Sequence, residues 1–99
     1  MRFHWYNANR YFIPGATAMG QTRVHEDVDV YAAFVRGQVV PRAFRWSGRT
    51  YTVDHVHQRW SGRNGGVRLH YFAVTCAGNA YKLCFNAQEL GWMLEEVYV

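Results

Sequence analysis

Glycine-centred turns recur along this chain at intervals too short for helices of ordinary length, and that spacing restricts the fold most. Arg36-Gly37-Gln38, Ser47-Gly48-Arg49, the run Ser61-Gly62-Arg63-Asn64-Gly65-Gly66 and Gly78-Asn79 separate segments rich in β-branched and aromatic residues. The segments read as strands over residues 28–35, 39–46, 50–60, 67–77 and 80–85. Pro41 falls near the start of the second, where a strand tolerates a missing donor. Such close spacing predicts an all-β fold: a small SH3-like or OB-like barrel of five to six antiparallel strands.

The alternation within two hairpins supports this reading. A turn at Gly78-Asn79 would pair Cys76 with Tyr81, Val74 with Leu83 and Phe72 with Phe85, all on one apolar face, with Thr75 and Lys82 opposite. A turn at Ser47-Gly48 collects Phe44, Trp46, Tyr51 and Val53 on one face and Arg45, Thr50 and Thr52 on the other. The first register points Cys76 inward and Cys84 outward, so a disulfide between them is not expected. With two cysteines and no framework, the thiols read as free and the protein as cytoplasmic.

The two ends of the chain are less regular. Residues 1–23 form an N-terminal arm ahead of a barrel domain over 24–99; its aromatics Phe3, Trp5, Tyr6, Tyr11 and Phe12 are candidates for packing onto a partner. At the other end Asn86-Ala87-Gln88-Glu89 fits a capping box, and Leu90, Met93, Leu94 and Val97 recur at helical spacing. Against this, Gly91 would sit inside the first turns, and Trp92, Val97, Tyr98 and Val99 favour a strand; local pattern alone prefers the helix by a little.

Ninety-nine residues make one domain, and seventeen aromatics exclude a disordered chain. No apolar run approaches the roughly 20 residues of a membrane-spanning helix, and residues 1–10 lack the apolar stretch of a secretory signal. The net charge of +4 is unevenly spread. Residues 36–68 hold Arg36, Arg42, Arg45, Arg49, Arg59, Arg63 and Arg68 against Asp54 alone. Arginine forks onto phosphate where lysine acts as a point charge. A GC-rich genome that writes Arg for Lys accounts for this equally well.

The residues Gly37, Pro41, Phe44-Arg45-Trp46, Gly48-Arg49, Tyr51 and Val53 spell G-x-x-x-P-x-x-F-x-W-x-G-R-x-Y-x-V. Trp60, Tyr71-Phe72-Ala73-Val74, Tyr81-Lys82-Leu83 and Trp92-Met93-Leu94 continue the pattern. It resembles a bacterial family of small uncharacterised β domains, sometimes appended to proteins similar to translesion DNA polymerases. The resemblance spans roughly residues 28–99 and implies a final strand over 92–98. It implies no catalytic residues, because every fixed position is a turn glycine, a core aromatic or a strand residue.

These residues offer three kinds of chemistry. His55 and His57 are two apart, and pairing Trp60 with Val67 would set His57 opposite His70, a candidate metal set; flanking Arg59 and Arg68 would repel the cation. Cys84, with His25 or His70 as base, lies in no nucleophile motif, and residues 61–66 lack the helix start of a P-loop. No cofactor is implied. The remaining candidate is single-stranded nucleic acid, held at its phosphates by Arg45, Arg59, Arg63 and Arg68 and stacked on Trp60 or His57. The competing reading is a protein-interaction module, or accessory subunit of a larger assembly, docking through its aromatic arm.

Overall fold

The computed structural model describes residues 21–98. They form seven strands: β1 (Gln21–Val35), β2 (Gln38–Trp46), β3 (Arg49–Thr52), β4 (His55–Asn64), β5 (Val67–Cys76), β6 (Asn79–Asn86) and β7 (Gly91–Tyr98). All neighbours are antiparallel, in the order β3-β2-β1-β7-β6-β5-β4. The sheet curls into a half-barrel. The curl originates in β1, which is shared between two halves. Its residues up to Val28 pair with β7, and from Asp29 onward it pairs with β2. Where one partner ends the other begins, so β1-β2-β3 folds over the inner face of β7-β6-β5-β4.

The core fills the space between these halves. Phe44 of β2, fully buried, stacks on Tyr51 at 5.1 Å and meets Tyr81 of β6 edge-on at 5.3 Å. Phe72, Val74, Cys76, Leu83, Phe85, Leu94 and Val97 complete the cluster, and Trp46, Tyr51 and Val53 pack against it. The six residues expected to share a face in the β5–β6 hairpin are all here, as are the four from the β2–β3 hairpin.

The pairing within that first hairpin differs from expectation. The turn is Ala77-Gly78, with φ of 50° and 88°, and Val74 faces Tyr81 while Phe72 faces Leu83. Two left-handed residues make the turn type whose twist matches the flanking strands, and glycine occupies its second position without steric cost. The register is displaced by two residues, which leaves every side chain on its expected face.

Seven strands rather than five or six result from two departures. Residues 50–60 are not one strand: the chain turns a corner at Val53-Asp54. There Val53 N donates to Arg42 O on β2 and, one residue later, Asp54 N donates to Thr75 O on β5, both at 2.8 Å. The Asp54 carboxylate also accepts from Ala77 N at 2.8 Å, which ties the corner to the β5–β6 turn. At the C-terminus the strand reading is the correct one. The capping signal is nonetheless real. Asn86 Oδ1 accepts from Gln88 N and Glu89 N at 2.9 and 3.0 Å, and Leu90 N donates to Asn86 O, but Leu90 adopts φ 61° and ends the structure after one turn.

The first strand begins at Gln21, seven residues before the expected start, so the division at residue 23 falls inside the sheet. Phe3, Trp5, Tyr6, Tyr11 and Phe12, the candidate partner contacts, lie outside the described residues. Among the described residues no helix is long and apolar enough to cross a membrane.

Candidate nucleic-acid interface

Pairing of β4 with β5 determines which charges share a face. Arg59 lies opposite Phe72, Ser61 opposite His70, and Arg63 opposite Arg68. Directly paired residues point to the same side of a sheet, and that side alternates at each step. Phe72 belongs to the core, so all three rungs line the inner face. They run outward from the core to the rim of the half-barrel, each rung about 6.6 Å from the next.

The outermost rung sets two arginines directly against each other. Like charges in that relation repel, and among the described residues no carboxylate forms an ion pair with either side chain. Arg63 Nη1 reaches Gly66 O at 3.5 Å, within its own turn. One rung deeper, the His70 ring lies 6.1 Å from the Phe85 ring, and Phe34 from the β1–β2 hairpin meets Phe85 edge-on at 6.1 Å. Trp92 closes the floor, 4.9 Å from Phe85. Phe34 is 67 % exposed, more than any other Phe, Tyr or Trp among the described residues.

The innermost rung spans a seam. β3 pairs only with Ala43–Trp46, so the start of β2 presents an open edge toward the open edge of β4. Arg59 bridges the gap: its Nη1 donates to Val39 O at 3.3 Å and to Gln38 Oε1 at 3.4 Å, while the guanidinium lies over the Phe72 ring at 5.6 Å. A cavity of about 320 Å³ remains here between the β1–β2 turn and β4–β5.

The remaining predicted site residues lie elsewhere. Arg45 pairs with Asp29 and Thr50, one position out of phase with buried Phe44, and therefore faces outward, away from the other three arginines. Trp60 pairs with Tyr71 on the outer face of β4–β5, stacked at 5.5 Å and 15°, and Lys82 Nζ sits 6.0 and 5.2 Å from the two rings. His57 is the extra residue of a bulge in β4; its Nε2 contacts Thr75 Oγ1 at 3.2 Å and its ring meets His55 edge-on at 4.5 Å. Burial, reinforced by the nearby His55, lowers the His57 pKa from its ordinary 6.5.

The candidate metal set of His55, His57 and His70 does not come together. The β4–β5 hairpin extends to Asn64 and turns at Gly65-Gly66, so Trp60 faces Tyr71 rather than Val67, and His70 faces Ser61. Among the described residues no three metal-ligating side chains come together.

The outer face holds a second departure from expectation. Cys84 does point there, but it is buried, as is Lys82, which pairs with Glu95 at 3.4 Å. Burial and then the Glu95 charge push the Cys84 thiol up to about 12. Cys76 is likewise raised to about 12, by burial and then by Asp54. Both thiols therefore stay protonated at neutral pH, the wrong state for a nucleophile.

No protein-family model matches this chain, and neither a curated protein nor a solved structure matches it.

Proposed function

We propose that this is a non-catalytic binding domain that holds single-stranded nucleic acid along the inner rim of the half-barrel. Arg63 and Arg68 contact phosphate, Arg59 lies farther in, and Phe34 and His70 offer the stacking surface that the sequence suggested for Trp60 and His57. The opposed Arg63–Arg68 rung carries this reading: two cations forced together gain from an anion placed between them. Exposed aromatic surface beside a basic track is what sequence-tolerant single-strand binding requires. The resemblance to domains appended to translesion-polymerase-like proteins agrees with a role accessory to DNA repair or replication.

A protein-docking role is the second reading, favoured by the exposed apolar tip Phe34 and Val35 and by Leu90. Salt separates the two. Fluorescence anisotropy with a labelled strand of about eight nucleotides should give micromolar binding at low salt. The two phosphate contacts of Arg63 and Arg68 then predict a slope of about −1.4 in log K against log salt. Absence of binding at low salt, or a slope near zero, contradicts the proposal.

A further inference from the structure

Building on that reading, we propose that the cavity at the β2–β4 seam receives one unpaired base of the bound strand. Three observations converge on it. Its volume of about 320 Å³ lies at the small end of ligand sites and is enough for a single heteroaromatic ring. Its lining combines flat and polar groups: the Phe72 ring with the Arg59 guanidinium over it, His70, the Gln38 amide, the Ser61 hydroxyl and the backbone edge at Val39. An amide and a hydroxyl both donate and accept, which suits the mixed edge of a nucleobase rather than a purely apolar ligand.

The third observation is position. The cavity lies inward of the Arg63–Arg68 rung, with Ser61 and His70 forming the intermediate step. A strand whose phosphate sits on the rim rung can therefore turn one base inward over His70 while its backbone continues outside. Bases of a duplex are stacked and paired, and reach such a site only after extrusion. The site thus selects unpaired strands by geometry, whereas the rim arginines alone would accept any polyanion.

The test compares unmodified oligomers of each base with a fully abasic deoxyribose-phosphate oligomer of the same length, by anisotropy at low salt. The wild type should bind at least one base-bearing strand about tenfold more tightly than the abasic one, since a stacked base contributes on that order. Ser61→Phe, which fills the cavity, should reduce this difference to what stacking on Phe34 contributes and retain the abasic affinity; Gln38→Ala should reduce it without adding bulk. Equal wild-type affinity for base-bearing and abasic strands overturns the cavity assignment and leaves the phosphate reading intact. A preference that survives both substitutions undiminished also overturns it. Failure of the wild type to bind any strand overturns the functional reading and this inference together.

Discussion

Converting Arg63 and Arg68 together to glutamate is expected to weaken binding of a short single strand by about 100-fold at low salt and to flatten the salt dependence by more than one unit of slope. The two side chains are exposed and paired across β4–β5 at the rim, so the fold should tolerate the change. Two opposed glutamates repeat the like-charge relation already present, which makes the pair an internally matched substitution. Arg45→Glu serves as the control. It changes the net charge by the same amount per residue on the outward side of β2 and should alter affinity less than threefold. Comparable losses from Arg45→Glu and from one rim arginine would indicate a diffuse attraction rather than a site.

Truncation of Phe44 to alanine should have the largest effect on stability, about 3–5 kcal/mol. Small domains are stabilised by only about 5–15 kcal/mol in total, so the variant should be partly unfolded at room temperature or melt about 15–30 °C lower. The reason is placement. Phe44 is fully buried and touches Tyr51 in its own half and Tyr81 in the other. A void there removes contacts on both sides at once. Urea denaturation followed by tryptophan fluorescence measures the loss; a decrease below about 1 kcal/mol would mean that the two halves of the half-barrel do not depend on this contact.

The faces of the sheet were legible in the sequence, and its registers were not. Side-chain alternation has period two, so an error of two or four residues in pairing leaves the inward set unchanged. That is why Phe72, Val74, Tyr81 and Leu83 were assigned to the core correctly, although the turn is Ala77-Gly78 rather than Gly78-Asn79. The site depends on register, and there the same error is decisive. A four-residue displacement in β4–β5 separates His57 from His70 and brings Arg63 opposite Arg68. Arg45 is separated from the other three arginines for a different reason. Its direction within β2 was correct, outward beside Thr50, but the curl of the sheet places that side away from the inner face of β4 and β5.

Phe34 and Cys84 show in opposite ways what strand alternation leaves open. A strand phenylalanine is expected inside and an alternate-face cysteine outside, yet Phe34 is exposed and Cys84 is buried. Local pattern specifies the side of a sheet but not what lies against that side. Phe34 belongs to a hairpin tip that extends beyond the end of β7. No feature of the sequence around Ala33-Phe34-Val35 marks that overhang.

Nuclear magnetic resonance mapping with uniformly ¹⁵N-labelled protein and an unlabelled single strand tests the central claim most directly. Binding along the inner rim predicts that amide shifts at Phe34, Gln38, Ser61, Arg63, Arg68 and His70 move together as the strand is added, with Arg45, Thr50 and the outer-face residues Lys82 and Cys84 unaffected. Shifts concentrated on Arg45, Lys82 and Cys84, or none at saturating strand, would contradict it.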